Sequence, residues 1–549
     1  MGIAGLVLGI LSVYAKIGGT ASGNGFFAVL FGIVGIIISA NAISNAKKAN
    51  RVDNVGIAGL ALSIIGLVIG LLTFLLTSIV VAVLLGQMTF AEAAAEVNDV
   101  INGYVWGPYM LVFLVGTGIV FTVWSKCFQV MNIKLWWSAT FGQLFKKKEK
   151  VNDANITPFQ AVTTALASTV GTGNIAGVAT AVFLGGPGAV FWMQVSGFFG
   201  MMTKYAEVVL AVKYRETDAN GAHHGGPMYY IQNGLGPKMK WLAVVFAVFG
   251  TCATFGIGNL TQANAIAGAL ERSFNIPPLY TGIAIAVLVA LVIIGGIKRI
   301  ASVTEKLVPF MAIFYVIGGI VILVMNAGQL PEALRLIITK AFSTEKAVLG
   351  GVSGYLIMMA MRRGIARGVF SNEAGLGSAP IAHAASRTKD PVQQGLWGIF
   401  EVFVDTTIIC TISGLIVVTA GMYESGISGI TLVMASFEAA FGKVGGIFVS
   451  IAIICFAGST ILGWSYYGQQ CLHYLSGGKT NKPLDLGYKI VFSGLTIVGA
   501  IGGLALVWDI ADTLNGLMAI PNLIALLMLS KVVITLTKEY VARGGKTLS

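Results

Sequence analysis

The chain has 549 residues, of which 56% are hydrophobic and only 11% charged, with a formal net charge of +12 and a mean hydropathy of +0.84. Soluble domains carry roughly 25% charged residues, so this composition excludes a soluble globular protein and defines a polytopic membrane protein. The basic balance does not point to nucleic acid, because most of the 35 Lys and Arg gather in one set of alternate loops, as membrane topology requires.

Segments apolar enough to cross a hydrocarbon core of roughly 30 Å are expected at 2–15, 24–45, 55–86, 104–124, 156–183, 187–212, 241–270, 279–297, 307–326, 350–385, 395–420, 446–474, 486–507 and 508–536. Lys47, Lys48, Arg51, the Lys146-Lys147-Lys148 run, Lys298, Arg299 and Lys538 fall on one side of this arrangement. The other side holds only Lys16, Arg272, Arg335, Lys340, Lys346 and Lys443. The positive-inside bias therefore predicts a multi-pass protein of the cytoplasmic membrane with both termini in the cytoplasm.

In chain order, residues 1–86 come first, a run of glycine-punctuated apolar helices in which GIAGL occurs at Gly2–Leu6 and again at Gly56–Leu60. Small residues at such spacing let membrane helices approach closely, so this reads as a fused packing module of about three helices with no transport chemistry. Residues 1–15 lack a basic leader and a cleavage site, and a cleaved signal peptide is not expected. An acidic extracytoplasmic linker over 87–103, with Glu92, Glu96 and Asp99, leads into the main assembly over 104–536; residues 537–549 form a cytoplasmic tail.

Two spans of the main assembly are interrupted. The fifth carries Ser168-Thr169-Val170-Gly171-Thr172-Gly173-Asn174, and the tenth carries Gly364 and then Gly368-Val369-Phe370-Ser371-Asn372-Glu373-Ala374-Gly375-Leu376-Gly377. Unwound backbone is tolerated in a bilayer only where it is buried in protein or lines a cavity. The two breaks stand five spans apart in opposite orientation, which is the signature of an inverted repeat with its binding site at the breaks. At the first break, the amides of Thr172, Gly173 and Asn174 open the second half-helix and suit a carboxylate. The carbonyls of Ala167 and Val170 close the first half-helix and suit a cation. A dinucleotide reading of Gly171-Thr172-Gly173 fails, because the third glycine of the fingerprint falls one position late and no strand precedes it. Arg362-Arg363 would be costly facing lipid, so residues 350–361 are expected to be partly re-entrant or interfacial.

Other polar residues lie within spans. The seventh span places Asn259 and Gln262 three apart on one helix face, either to pair with another helix or to line a polar cavity. The twelfth carries the adjacent hydroxyls of Ser459 and Thr460, which either hydrogen-bond back to their own helix or serve a cation. Six acids, Glu207, Glu373, Glu401, Asp405, Asp509 and Asp512, fall within spans and are functional candidates by default; Lys204 is expected to pair with Glu207, and Glu373 with Arg367. No histidine is expected near either break. His223 and His224 have no partners to complete a metal set, and Cys127, Cys252, Cys410, Cys455 and Cys471 contain no C-x-x-C pair, so neither a transition metal nor a cofactor is expected. With no nucleophile–base set and no repeated selectivity loop, an enzyme and a channel are both disfavoured.

Long ordered motifs carry a family resemblance: TALASTVGTGNIAGVATAVFLGGPGAVFWM (164–193), MTKYAEVVLAVKYRE (202–216), GGPMYYIQNGLG (225–236), GIGNLTQANAIA (256–267) and RGVFSNEAGLGSAPIAHAA (367–385). Over about 100–536 the chain resembles the alanine or glycine:cation symporter family of the amino acid–polyamine–organocation superfamily. That resemblance implies an all-α, LeuT-like five-plus-five inverted repeat with discontinuous first and sixth core helices and one extra helix in front. It also implies sodium-driven uptake of small neutral amino acids. By resemblance, Gly171, Thr172, Gly173 and Asn174 match the break of the first core helix. Ala167 and Val170 with Ser459 and Thr460 would hold Na⁺, and Thr169, Gln262, Phe370, Ser371 and Trp464 would border the substrate. The module over 1–86 is not part of the family pattern. A carrier of another substrate, a proton-coupled carrier and a non-transporting sensor or scaffold are the competing readings.

Overall fold

The structure is a computed structural model that describes residues 89–143, 154–342, 352–478, 481–502 and 505–545; the expected module over 1–86 lies outside the described residues. The chain divides into two units, 1–100 and 101–549. Of the first, the described part is the beginning of a helix, Phe90–Val105. Thr89 starts it by donating from its amide (2.7 Å) and its hydroxyl (2.9 Å) to the Glu92 carboxylate.

Almost all of the described part of the second unit is helix. Among the described residues the only paired strands are two short antiparallel ones, Glu216–Thr217 and His223–His224. A leading helix, Pro108–Trp124, precedes ten core helices. The first is broken, Pro158–Thr169 then Gly173–Gly185, bent by 50°. The second is Gly188–Lys213, the third Pro237–Phe274, the fourth Pro278–Ile293 and the fifth Gly296–Met325. The sixth is again broken, Val352–Asn372 followed by Pro380–Ala384. The seventh is Pro391–Ala420, the eighth Lys443–Leu475, the ninth Lys482–Ile501 and the tenth Ala505–Met528. The first four helices of one half pack on their counterparts five places on: first on sixth, second on seventh, third on eighth and fourth on ninth. Paired contacts of this kind are what an inverted repeat produces when its halves interlock.

Among the described residues, eight helices are long and apolar enough to cross a membrane, or nine if the broken first helix counts as one. Several expected boundaries are corrected. The break in the sixth helix starts at Glu373, whereas Gly364 and Gly368 lie in regular helix together with Phe370 and Ser371. Those two glycines serve close packing: a Cβ would sit 2.3 Å from the Ala189 carbonyl oxygen at Gly364 and 2.1 Å from Ser196 Oγ at Gly368. Of residues 350–361, expected to be partly re-entrant or interfacial, 352–361 are continuous helix, and Arg362 Nε donates to the Trp106 carbonyl at 3.1 Å. The last span ends at Met528, and a separate helix, Ser530–Ala542, takes up the residues read as its end and as tail. Leu330–Phe342 and Gly429–Phe441 are further short helices in connections read as loops.

Candidate functional site at the two helix breaks

The first core helix begins at a capping box. Thr157 Oγ1 accepts from the Gln160 amide (3.1 Å) and Gln160 Oε1 accepts from the Thr157 amide (3.0 Å), with Pro158 at the first helical position. Cap, reciprocal side chain and proline together fix where the helix starts. Its first half ends at Val170, whose ψ of 87° leaves the helical region, and after a bend the chain resumes as a π-helical turn over Gly173–Gly177. Thr169 Oγ1 bonds back to the Ala165 and Leu166 carbonyls (3.3 and 3.4 Å).

The break is crowded by three other helices. A Cβ at Gly171 would lie 2.4 Å from Thr460 Oγ1 and 3.6 Å from Gln262 Oε1; one at Gly173 would lie 3.3 Å from the Phe370 ring and 3.6 Å from Ser371 Cα. Only glycine at position 171 lets Thr460 Oγ1 approach this backbone so closely, whereas a Cβ at Gly173 would be in tight contact with Phe370. Gln262 reaches the break because a π-helical turn over Gly256–Leu260 precedes it. Its Nε2 donates to the Ile257 carbonyl (3.1 Å) while its Oε1 lies 3.5 Å from the Thr172 amide. Such turns cluster at functional sites.

Beside the end of the first half-helix, Ser459 Oγ lies 3.2 Å from the Ala167 carbonyl oxygen. Ser459 and Thr460 both donate to the Phe456 carbonyl, at 2.8 and 3.0 Å. Backbone and hydroxyl oxygens from two helices thus meet in one buried place, a hard ligand set of the kind alkali cations take.

At the sixth-helix break, Glu373 has φ of +54° and Gly375 and Gly377 have φ of +94° and +83°. A left-handed non-glycine residue inside a membrane protein costs energy and marks a place its surroundings force. The Glu373 carboxylate accepts from the Trp464 indole (3.0 Å) and from the Ser378 hydroxyl. Trp464 is 1% exposed, so its ring is fixed by the second break.

One carboxylate joins the two breaks. Asp405, in a π-helical turn over Phe403–Cys410 of the seventh core helix, accepts from Asn174 Nδ2 at 2.6 Å, from Ser371 Oγ at 3.0 Å and from Thr406 Oγ1 at 2.9 Å. The other end of Asn174 accepts from the Gly171 amide (2.9 Å), and Asn372 donates to Thr406 (3.0 Å). Asn174 is therefore held at both ends within the protein. Its amide also donates to the Gly171 carbonyl at 3.2 Å, so it is not the open donor expected.

Several pairings differ from expectation. Lys204 pairs with Glu401 at 3.4 Å. Glu207 accepts from the amides of Gly375 and Gly377 (3.0 and 3.1 Å) and from Asn522 (2.5 Å), because the break presents backbone donors a neighbouring carboxylate can cap. The Arg367 guanidinium lies over the Phe370 ring at 5.1 Å while Glu373 bonds Trp464 and Ser378. Of the two roles open to the seventh-span amides, Asn259 takes the first, donating to the Phe492 carbonyl of the ninth helix (2.6 Å), while Gln262 reaches the first break. His383, contrary to expectation, sits just past the second break, bonded to Glu401 (2.9 Å). The only sequence signal for Asp405 and His383 was their polarity inside apolar segments.

The profile of the sodium:alanine symporter family matches residues 91–547. The sodium/alanine symporter AgcS of Methanococcus maripaludis is 49% identical over 80% of this chain and 96% of its own length. A probable sodium/glutamine symporter, GlnT of Bacillus subtilis, is 37% identical over 81% of this chain and 90% of its own. Among solved structures, MhsT in complex with L-phenylalanine is similar over 71% of this chain and 99% of its own, with a TM-score of 0.50 at 14% identity, a likeness of fold alone. A LeuT-like bundle with two broken helices defines a secondary transporter. The chain belongs to the sodium:alanine symporter family.

Proposed function

We propose that this protein carries a small neutral amino acid, alanine or glycine, into the cell together with Na⁺ by alternating access across the cytoplasmic membrane, with both termini inside. The observation that carries the reading is the meeting of the Ala167 carbonyl and the Ser459 hydroxyl at 3.2 Å, next to a glycine break bordered by Phe370 and Gln262. Na⁺ fits among the oxygens of Ala167, Val170, Ser459 and Thr460. The substrate fits at the break, its carboxylate toward the Gly171–Gly173 backbone and its side chain toward Phe370 and Trp464. Gln262 and Ser371 supply the polar edge, Thr169 and Thr172 the flanks. Asn174 holds the break in shape through Gly171 and Asp405. A cation beside a carboxylate site lets each stabilise the other, which couples the two gradients.

Uptake of labelled alanine and glycine into proteoliposomes, with and without an inward sodium gradient, tests this. Uptake indifferent to sodium refutes the coupling. A sodium/glutamine symporter among the relatives makes side-chain length the second variable, and competition by glutamine against alanine resolves it.

A further inference from the structure

The short helix Pro380–Ala384 after the second break carries a buried polar chain that the transport reading leaves unused. Ser386 Oγ donates to Thr388 Oγ1 (3.0 Å), and Thr388 Oγ1 donates to Gln394 Oε1 (3.1 Å). Gln394 Nε2 meets His383 Nδ1 at 2.9 Å, and His383 Nε2 meets Glu401 Oε2 at 2.9 Å. Glu401 Oε1 then lies 3.4 Å from Lys204 Nζ. Thr388, at 7% exposure, is the least buried of the six residues.

The direction of every link follows from the donors. An amide nitrogen only donates, so His383 Nδ1 accepts, and the ring hydrogen sits on Nε2 and goes to Glu401. At the other end of the chain Lys204 faces Glu401. The chain starts where the two broken helices touch. The Ile156 amide donates to the Ala385 carbonyl (3.2 Å), and the Arg387 amide donates to the Ile156 carbonyl (2.9 Å). Arg215 donates to the carbonyls of Ala384, Ser386 and Thr388. The start of the first core helix and the end of the sixth are therefore one tied piece. A fully connected buried network holds a single geometry in a way that apolar packing does not.

We propose that His383 is a positioning residue for transport: through Glu401 and Gln394 it holds the end of the sixth core helix, and with it the start of the first, against the second and seventh core helices. Its consequence for uptake rests on the symport reading; the positioning itself does not.

Hydrogen exchange of backbone amides, read by mass spectrometry on the purified full-length protein in sodium, tests it. In His383→Ala, exchange of 380–388 and of 154–158 rises roughly tenfold or more, since a buried partner is lost and the segment opens locally, while 429–441 keeps its rate. His383→Gln, which restores a donor to Glu401, returns both segments toward the unmutated rate. Thr388→Val opens the chain at its far end without disturbing the charged pair and raises the same two segments by a smaller factor, so it carries the test if His383→Ala does not fold. In proteoliposomes, the maximal rate of alanine uptake falls in His383→Ala with little change in half-saturating alanine, and recovers in His383→Gln. Unchanged exchange in His383→Ala and in Thr388→Val overturns the proposal, as does a rise spread over the whole protein or one confined to 380–388. Absence of alanine uptake by the unmutated protein refutes the symport reading instead and leaves the exchange result to decide the positioning.

Discussion

Gly171 and Gly173 do different work although they are two residues apart. A methyl group at Gly171 runs into Thr460 Oγ1, whereas one at Gly173 sits tight against the Phe370 ring; in the proposed site the first position faces the cation and the second the substrate. Gly171→Ala is expected to raise the half-saturating sodium concentration at fixed alanine, whereas Gly173→Leu is expected to abolish alanine binding in a protein that still inserts and folds. Titration of purified variants with sodium and with alanine separates the two; equal effects on both ligands would contradict the division. Ser459→Ala with Thr460→Val removes two oxygen ligands while roughly keeping volume. Loss of buried polar partners of this kind costs on the order of 1–3 kcal/mol, so half-saturating sodium should rise roughly five- to a hundredfold, with alanine affinity at saturating sodium little changed. An unmoved sodium dependence would remove both residues from the cation site.

At the scale of the element, the seventh core helix holds the two breaks in register. Its π-helical turn brings Asp405 to Asn174 and Ser371 at once. A buried carboxylate with its donors removed is costly, and the donors here belong to two different broken helices. Asp405→Ala should therefore depress alanine and sodium affinity together, in contrast to the separable effects at Gly171 and Gly173. Ser371→Ala, which removes one hydroxyl and leaves Asn174 in place, should cost only about 1 kcal/mol, read as a shift of a few degrees or less in thermal unfolding. Independent sodium and alanine responses in Asp405→Ala would show that the breaks are not coupled through this residue.

For the whole molecule, the helices that pack on their counterparts all lie beyond residue 157, and the family match begins at residue 91. Deletion of 1–86 is expected to preserve sodium-driven uptake at normal surface levels; loss of uptake would give that module a part in the cycle. The proposed substrate site lies where helices from both halves meet. Phe370 borders Gly173, and Trp464 is fixed by Glu373. Overpacking a close apolar wall costs on the order of 1–3 kcal/mol, roughly ten- to a hundredfold in affinity. Leucine and phenylalanine should thus compete poorly against labelled alanine. Replacing Phe370 or Trp464 by a smaller apolar residue should relax that limit, and leucine competing as well as alanine in the unmutated protein would refute it.

Composition alone determined the class, because a bilayer demands long apolar helices whatever their packing. Glycine within an apolar segment located the first break correctly, since unwinding is a local backbone property that Val170-Gly171-Thr172-Gly173 shows in sequence. At Gly364 and Gly368 the same signal misled. Glycine serves close helix contact as well as unwinding, and only the position of Ala189 and Ser196 on the second core helix distinguishes the two uses. Partners of buried charges were likewise beyond the sequence. Lys204 and Glu207 stand one helical turn apart, yet Lys204 turns to Glu401 while Glu207 caps the amides of Gly375 and Gly377. Spacing along one helix says which residues can meet, whereas desolvation makes each buried group satisfy whatever donor or charge the neighbouring helices bring within reach. Asp405 and His383 acquire their places only when the first, sixth and seventh core helices come together, because, the neighbouring Thr406 apart, the groups they bond lie on helices other than their own.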